Sequence, residues 1–442
     1  MFALQQQVAK LEARLGQNSS NSSKPPSADP PGTPVKGSKK SGRGRGGQPG
    51  HKHHERELLP PEQVTKVVEV VPLHCGRCDA KLAGRDPSPR RTQVVEVPQI
   101  RPHVTEYREH ELSCAECGVV TRGELPEEAK ATFGPRLKSM VVVCTGGYRL
   151  SKRVTLELLS DFLGVRLALG SVCNIEREVS LALAGPVEEA RGHVRQQPVV
   201  HADETGWREN KRRAWLWAAS TALVTVFQIA TSRGADVAKQ MLGEFFSGVL
   251  VVDRWSAYRW VELRQLCWSH LARDVQGFVD RGGVGGALGE KLRDDINLMF
   301  HLWHRFRDKA LERASFQQLM EPVEQRILRL LGEAELRAEP KTAGMAREIL
   351  AQADYLFVFV DTEGVDPTNN TAERVIRPAV LWRKGSFGTD SEGGSRFAER
   401  ILTALTTLKQ QRRSLLDYLE EACRAAASGQ AIPSLLPGAG RN

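Results

Sequence analysis

Two apolar runs that each end in an aspartate constrain the fold of this chain more than any other feature. The run PVVHAD ends at Asp203, and the run GVLVVD ends at Asp253. Both runs have the β-branched content of buried strands. A buried strand does not keep an unpaired carboxylate, because desolvation costs several kcal/mol or forces the group to take up a proton. We therefore expect the protein to use both aspartates.

The segment around these aspartates predicts a mixed α/β domain. Residues 198–280 predict three meandering strands, a helix, two further strands and a helix. If the strands that end at Asp203 and Asp253 lie side by side, both side chains emerge at one edge of the sheet, where ligands of α/β proteins collect. Carboxylates gathered there repel one another, so the pattern favours Mg²⁺ or Mn²⁺. Two such ions are suited to an in-line phosphoryl displacement.

A third acid must come from elsewhere in the chain, and Glu373 is the best candidate. It lies near the start of a predicted helix rich in arginine. A structural role is also open, since Asn370 as N-cap and Glu373 three residues later fit a capping box. We expect Glu204 to point away from Asp203, as a surface or supporting acid. His270 is a candidate contact to phosphate or proton donor, with a structural histidine as the alternative.

Basic and aromatic residues near these acids suit contact with nucleic acid. Phosphate contact is a natural use for the cations around Glu373, although a solvated helix face is the alternative. These cations are Arg374, Arg377, Arg383 and Lys384. Five tryptophans are expected to be mostly core, with stacking on an unpaired base as a further use. They are Trp207, Trp215, Trp217, Trp255 and Trp268.

Half of the eight cysteines form two C-x2-C pairs. The paired cysteines are Cys75, Cys78, Cys114 and Cys117. Four thiolates in two knuckles, flanked by the β-type runs VTKVVEVVPL and TQVVEVPQIRPHVTEY, suit one closed, tetrahedral structural Zn²⁺. Reduced cysteines in hairpins and a two-disulfide unit are the alternatives, and a cytoplasmic location disfavours the disulfides. The remaining cysteines stand in apolar contexts and are expected in the core: Cys144, Cys173, Cys267 and Cys423.

The first 60 residues have little capacity to pack. Residues 1–15 carry the leucine spacing of a short coiled coil, and a frayed terminal helix is as good an interpretation. Residues 16–60 are rich in Ser, Pro, Gly and Lys and predict a disordered linker. Its positive charge, within a chain of formal charge +9, favours a polyanionic partner. Candidate phosphate contacts in this linker are Lys39, Lys40, Arg43 and Arg45.

Residues 134–196 predict a pair of helices in a helix-turn-helix pattern. The first helix has four apolar residues at helical spacing, namely Val154, Leu158, Leu159 and Phe162. Gly164 breaks the pattern, and Ser171 is a candidate N-cap of the second helix. DNA recognition and ordinary helix packing are both open interpretations.

The length of the chain, 442 residues, allows two or three domains with a sizeable core. No apolar run is long enough to cross a membrane, and Met1 is not followed by a basic and then apolar leader. We therefore expect a cytoplasmic protein without membrane contact.

Four segments in order resemble the insertion sequence 66 family of bacterial transposases: HADETGWR, VVDRWSAYRW, LCWSHLARD and NNTAERVIRPAVLWRKGSFGTDSEGGSRFAERILT. The segments NSSNSSKPPS and GGQPGHK and the cysteine knuckles are similar to that family's amino-terminal region. The resemblance implies a ribonuclease H-like core with an Asp-Asp-Glu triad, which falls on Asp203, Asp253 and Glu373. It also implies a helical insertion between the second and third acids, where the sequence independently predicts helices.

These features together predict an α/β fold with a ribonuclease H-like mixed sheet and a helical insertion. A zinc-ribbon-like β module and a helical DNA-binding region are expected to precede it. The expected boundaries are 1–15 (coiled-coil helix), 16–60 (basic linker), 61–130 (zinc-ribbon-like), 134–196 (helix-turn-helix-like), 197–280 (first part of the core), 281–360 (helical insertion), 361–425 (end of the core and carboxy-terminal helices) and 426–442 (flexible tail).

The function implied by the resemblance is that of a DNA transposase. Two Mg²⁺ or Mn²⁺ ions are expected to support hydrolysis that frees a 3′ hydroxyl, which then attacks target DNA. Expected partners are double-stranded DNA, further copies of the chain and companion proteins of the same element. A zinc-containing DNA-binding regulator is an alternative, but it gives no reason for acids at two strand ends. A glycoside hydrolase explains paired carboxylates but not the basic linker.

Overall fold

The computed structural model describes Asn18 and residues 56–438, without the side chains of residues 127 and 128. The expected coiled coil, most of the linker and the candidate contacts Lys39, Lys40, Arg43 and Arg45 lie outside the described residues. The chain divides into two units, one formed by Val35–Arg101 and the other by Met1–Pro34 with Pro102–Asn442.

The β-type runs that flank the cysteine pairs are not strands. Residues 64–73 and 92–107, all of them described, have no strand structure. Their valines are largely open to solvent, with Val70 90% exposed and Val94 92% exposed. The strand prediction was wrong because β-type composition forms a strand only where a partner strand supplies hydrogen bonds and covers the apolar face. In residues 56–101, the described part of the unit Val35–Arg101, the regular structure is a 3₁₀ turn, Pro61–Gln63, and a bridge between His74 and Lys81.

The larger unit opens with a small hairpin followed by helices. Strands β1 (Glu111–Ser113) and β2 (Val120–Arg122) pair antiparallel around the second C-x2-C turn. Four helices follow: α1 (Pro135–Val142), continued by a π-helical turn (Val143–Gly147), α2 (Lys152–Leu163), α3 (Leu169–Ala182) and α4 (Ala184–Arg195).

The helix pair α2 and α3 differs from the sequence-based expectation at its second start. Helix α2 does end at Gly164, which takes the left-handed conformation with φ 66°. Helix α3 starts at Leu169, however, and the carbonyl of Ala168 already accepts the amide of Ser171. Ser171 therefore lies inside the helix and is not its N-cap.

The apolar face predicted for α2 is only partly buried. Leu159 is fully buried and Thr155 joins it, whereas Val154 is 44% exposed and Phe162 is 70% exposed. Cys173 on α3, expected in the core, is exposed as well, and the ammonium of Lys152 donates to its sulfur. Helical spacing identified the helix but not which of its faces the neighbouring elements cover.

A five-stranded mixed sheet forms the centre of the larger unit and confirms the α/β expectation. Its strands are β3 (Val199–Glu209), β4 (Arg212–Ser220), β5 (Thr225–Ala230), β6 (Val249–Val252) and β7 (Arg264–Leu266), in the order β5-β4-β3-β6-β7. Strands β3, β4 and β5 form an antiparallel meander, and β6 and β7 continue the sheet parallel to β3. Helix α5 (Ala235–Leu242) leads from β5 to β6, and α6 (Trp268–Arg281) follows β7.

The rest of the described chain is helical. Its helices are α7 (Gly283–Arg307), α8 (Arg313–Arg337), α9 (Pro340–Leu350), α10 (Val358–Asp361), α11 (Asn370–Ser386), α12 (Glu392–Gln410) and α13 (Leu415–Ala427). Stacked and tilted rings join α7, α8 and α10, with Phe306 and Phe316 4.9 Å apart at their centroids and Phe359 beside them. Within the described part of the chain, no helix is long and apolar enough to cross a membrane.

Alternation along β4 shows that both faces of the sheet are buried. Leu216 and Ala218 face a core formed with Ala379 of α11 and Leu402 of α12, whereas Trp217 packs into the larger core on the opposite face. Successive side chains of a strand point to opposite faces, so a strand with no polar face must be covered on both sides.

Side chains of α12 cover the outer edge of the sheet. The amides of Thr225 and Phe227 on β5 donate to the hydroxyls of Thr407 (3.1 Å) and Thr403 (3.0 Å). The amide of Ile229, two residues further along the strand, donates to the carboxylate of Glu399. Residues four apart on the helix thus meet residues two apart on the strand, which satisfies edge amides that otherwise invite pairing with another chain.

Glu399 gives this edge a pH dependence. Burial raises the pKa of its carboxyl group from 4.5 to about 7. Between pH 4.5 and about 7 the folded chain keeps a proton on Glu399 that the unfolded chain releases. The contribution of this group to the free energy of unfolding is therefore greatest below about pH 4.5 and falls as the pH rises toward 7. The expected loss is on the order of 3 kcal/mol.

We predict that Glu399→Gln removes this pH-dependent loss, because an amide oxygen accepts the same hydrogen bond without titrating. Denaturant unfolding on either side of the window measures the effect, and Glu392→Gln, an exposed change on the same helix, is the control. A wild-type slope in Glu399→Gln would show that the carboxyl does not titrate as described.

Candidate active site

Parallel pairing brings two of the predicted acids to one edge of the sheet. Strands β3 and β6 run parallel, with His201 opposite Val251. Asp203 and Asp253 each lie two residues further along, so their side chains leave the sheet at the same level. The expectation that Asp203 ends its strand is wrong, because β3 continues to Glu209 while paired with β4 alone.

The charges that act on Asp203 include that of a third acid, Glu373. Burial raises the pKa of Asp203 well above its usual range, and the charges of Glu204, Asp253 and Glu373 raise it further. One backbone hydrogen bond, from the amide of Glu204 to Oδ1 (2.9 Å), opposes the shift. Oδ1 of Asp253 accepts the amide of Trp255 (2.8 Å). Asp253 and Glu373 are therefore near enough to Asp203 for their charges to raise its pKa.

Glu373 reaches this edge from the first turn of α11. The N-cap is Asn369 and not Asn370, and neither the side chain of Asn369 nor a reciprocal capping box closes the helix start. The capping-box interpretation is therefore wrong: Asn370 is the first helical residue and is exposed. The amide of Glu373 donates to the carbonyl of Asn369 (3.2 Å), which leaves its half-exposed carboxylate available to the site.

Asn369 fixes the start of α11 against the sheet. Its side chain is buried, with the amide nitrogen donating to the carbonyl of Ala202 (2.7 Å) and Oδ1 3.3 Å from Nδ1 of His201. Its backbone amide donates to Sγ of Cys267 (3.2 Å). Our sequence analysis missed this residue, although the polar segment DPTNN before the helix was a signal for a structured turn.

A cysteine and a histidine complete the surroundings of Glu373. Within the described residues, one group of three ligating side chains has donor atoms all within 4.8 Å of one another, and it comprises Cys267, His270 and Glu373. Asp203 and Asp253 do not belong to it. Cys267 is buried, as expected, but its thiol faces the site and not only the core.

Burial governs the protonation of this cysteine and histidine. It raises the pKa of the Cys267 thiol and, together with the charge of Arg273, lowers the pKa of His270. Nδ1 of His270 is buried without a hydrogen-bond partner among the described residues, 3.9 Å from Oε1 of Glu373.

Glu204 is a buried supporting acid and not a surface acid. Its side chain is 1% exposed. Its carboxylate accepts hydrogen bonds from the guanidinium of Arg233 (2.8 Å) and from the hydroxyl of Tyr258 (2.6 Å). Burial raises the pKa of Glu204 in spite of these donors. The sequence left this role open beside a surface one, because both donors lie far along the chain.

The tryptophans are mostly core, as expected. Trp207, Trp217 and Trp268 are at most 2% exposed. The half-buried Trp215 and Trp255 both contact the guanidinium of Arg233, which lies 4.8 Å and 3.8 Å from their ring centroids. This arginine therefore links the aromatic pair to Glu204.

One of the four cations around Glu373 is already engaged. Arg383 donates to the hydroxyl of Thr205 (3.1 Å) and to the carbonyl of Gly206, because α11 packs across β3 at this point. Phosphate contact by Arg383 stays a prediction, with one of its guanidinium nitrogens already used by β3. Arg374, Arg377 and Lys384 are exposed and remain candidates.

The two C-x2-C turns have the same local structure, each in its own unit. The amide of Cys75 donates to the carbonyl of Ala80 (2.9 Å), and that of Cys114 donates to the carbonyl of Val119 (2.8 Å). Backbone amides inside each turn lower the pKa of the first thiol. Amide donors that stabilise a thiolate suit metal ligation, so each turn favours the thiolate form that Zn²⁺ needs.

The fold and the site define an α/β protein with a polar site at the carboxyl ends of its parallel strands. A family model described as "Transposase IS66 family" matches residues 130–397, more than half of the chain and all three predicted triad positions. The chain belongs to this family.

Two further similarities accompany this match. Residues 2–57 match a "Family of unknown function (DUF6444)". An "Uncharacterized protein y4qI" from Sinorhizobium fredii (strain NBRC 101917 / NGR234) is 28% identical over an alignment of 443 residues. The alignment covers 90% of this chain and 78% of that protein.

We predict different effects for two neighbouring asparagines. Asn369→Ala leaves the buried partners on Ala202 and His201 without their hydrogen bonds, which should lower the free energy of unfolding by roughly 2 kcal/mol or more. Asn370→Ala changes an exposed side chain and should cost less than about 0.5 kcal/mol. Denaturant unfolding compares the two variants. Equal effects would show that Asn369 does not hold the start of α11.

Proposed function

We propose that this protein cleaves and joins DNA at a site formed by Asp203, Asp253 and Glu373. The observation that carries the proposal is the parallel register of β3 and β6, which brings both aspartates to one edge beside the charge of Glu373. Membership of a transposase family supports the same function. The order of the sheet, an antiparallel meander extended by two parallel strands, supports a ribonuclease H-like core.

The donor set of this site fits Mg²⁺ or Mn²⁺. The charges that raise the pKa of Asp203 are all carboxylates. Divalent cations with a preference for oxygen ligands relieve such repulsion. Two such ions, when bound, stabilise the charge that develops on the phosphate and lower the pKa of a water molecule.

The residues of the chain position the reacting groups. Asp203 and Asp253 are held by nearby backbone amides, those of Glu204 and Trp255, and Glu373 by the start of α11. In the first step a water oxygen bonds to phosphorus while the bond from phosphorus to the 3′ oxygen breaks, which frees a 3′ hydroxyl. In the second step this hydroxyl attacks a phosphodiester of target DNA, and one ester bond replaces another without a covalent enzyme intermediate.

His270 is an auxiliary residue in this proposal. The lowered pKa keeps its imidazole neutral near pH 7. A neutral ring beside Glu373 can contact the phosphate through its N–H, whereas donation of a proton to the leaving oxygen needs the imidazolium form.

Exposed cations near the site suit the backbone of double-stranded DNA. Arg374, Arg377 and Lys384 lie on α11 beside Glu373, and the basic linker supplies further charge. Recognition of terminal repeats, assembly of several copies on DNA and companion proteins belong to the same proposal. So does a location in the cytoplasm, where the DNA lies.

A structural Zn²⁺ is the second part of the proposal. The candidate ligands are Cys75 and Cys78 in one turn and Cys114 and Cys117 in the other, and the lowered pKa of the first thiol in each turn supports zinc ligation by that turn. Thiolates select zinc over magnesium, so this site is distinct in chemistry from the carboxylates.

We predict that Mg²⁺-dependent nicking of element-end DNA is lost in Asp203→Asn, Asp253→Asn and Glu373→Gln. Each change removes a charged ligand while it preserves shape. Asp236→Asn, an exposed acid on α5, should cut at the wild-type rate. A chelator should abolish wild-type nicking, and added Mg²⁺ should restore it.

Nicking activity in Glu373→Gln would show that Glu373 is not a member of the triad. If the protein were a regulator without enzyme activity, or a glycoside hydrolase, neither the wild type nor any variant would nick DNA.

We predict that native mass spectrometry finds one tightly bound zinc ion that depends on the paired cysteines. Cys75→Ser and Cys114→Ser should each lose it, because a closed four-thiolate site tolerates no missing ligand. Cys173→Ser, an exposed cysteine on α3, should retain it. A wild-type chain that carries no zinc would contradict the proposal.

A further inference from the structure

Cys267, His270 and Glu373 form a cluster that the carboxylate chemistry does not explain. We propose that it is a site for one thiophilic divalent cation of the Zn²⁺ class, with Sγ, Nδ1 and a carboxylate oxygen as ligands. Binding displaces the thiol proton to solvent. The site shares Glu373 with the two aspartates but uses neither of them.

The distances in the cluster are close to those of a metal site. All three donor atoms lie within 4.8 Å of one another. Nδ1 of His270 and Oε1 of Glu373 are 3.9 Å apart, too far for a hydrogen bond. Two ligands on a tetrahedral zinc stand roughly 3.3–3.5 Å apart, given bonds of about 2.0–2.2 Å. Closure by about half an ångström therefore suffices for this pair.

The orphaned nitrogen of His270 is an independent sign of a missing partner. Buried polar atoms are almost always hydrogen-bonded. Nδ1 of His270 is buried and has no such partner within the part of the chain that the structure describes. A cation between this nitrogen, the thiol and the carboxylate would satisfy all three groups at once.

Local structure prepares the cysteine as a ligand. Cys267 is the N-cap of α6, and the backbone amide of Asn369 donates to its sulfur (3.2 Å). The same arrangement, with amides directed at a cysteine sulfur, occurs in the two C-x2-C turns. Sulfur and imidazole ligands select Zn²⁺ over Mg²⁺, which distinguishes this cluster from the aspartates.

The three ligands come from two helix starts that the backbone holds together. Cys267 and His270 are three residues apart at the start of α6, and three-residue spacing places them on one face. The amide of Trp268 donates to the carbonyl of Pro367 (2.9 Å), just before α11. Three protein ligands leave one tetrahedral position open, as in zinc sites that accept a further ligand.

Occupancy of this site has a consequence that rests on the proposed function. Glu373 bound to a cation between Cys267 and His270 is withdrawn from Asp203 and Asp253. Zn²⁺ is therefore expected to inhibit the magnesium-dependent reaction by competition for one carboxylate. The binding of the cation itself does not depend on that reaction.

Co²⁺ is the probe that tests binding, because cobalt bound to thiolate has a charge-transfer absorption that zinc lacks. The reduced full-length chain is titrated, and bound Co²⁺ is counted by equilibrium dialysis. We expect Cys267→Ser to bind one cobalt ion fewer than the wild type and Cys173→Ser to bind the wild-type number. His270→Ala and Glu373→Gln should each weaken one cobalt site by about tenfold or more. Wild-type binding in Cys267→Ser and His270→Ala would overturn the site.

Folding of the variants is checked by thermal unfolding. Serine keeps an acceptor for the amide of Asn369, so Cys267→Ser should melt near the wild type. If it does not fold, His270→Ala decides the question, because the side chain of His270 is 33% exposed and tolerates truncation better.

Zinc inhibition separates this inference from the proposed function. The Zn²⁺ concentration that halves magnesium-dependent nicking should rise by about tenfold or more in Cys267→Ser, with each protein compared with its own zinc-free rate. Equal inhibition of both proteins would refute the competition. If the wild type does not nick DNA at all, the proposed function fails, and the cobalt count still decides whether the metal site exists.

Discussion

The parallel pairing of β3 with β6 is the constraint on which the candidate site depends. It is short, running from Val199 opposite Val249 to His201 opposite Val251, yet it sets the level of both aspartates. A slip of one residue would turn one aspartate to the other face of the sheet. Such a slip is costly because both faces of the sheet are buried, so the packing of the core also fixes the geometry of the site.

The third acid has no such strand to place it, and a buried asparagine takes that role. Asn369 connects the start of α11 to β3 through Ala202 and to the end of β7 through Cys267. These bonds join residues more than 100 positions apart, across the whole of the helices α7 to α10. They tie the start of α11 directly to the sheet, although the two are distant in sequence.

The sequence predicted those structural features that depend on residues close to one another in the chain. The apolar runs before Asp203 and Asp253 were recognisable because a short run of apolar, β-branched residues is visible among sequence neighbours. The start of α11 was placed one residue late. Glu204 stayed open between a surface and a supporting role, and the bonds of Arg383 to β3 were not foreseen, because the partners Gly206, Arg233 and Tyr258 are remote in sequence. Pattern analysis finds an ionisable residue but not the distant group that satisfies its charge.

The three acids differ in how firmly they are held. Asp203 and Asp253 are half-buried, each with a backbone amide on its carboxylate. Glu373 is exposed and carries a longer side chain, so rotation about its own bonds is enough to move its carboxylate. In the two proposed sites, this carboxylate completes an all-oxygen set with the aspartates for a hard cation, and a mixed set with Cys267 and His270 for a softer one. If both proposals hold, the direction of a single carboxylate decides which metal is bound.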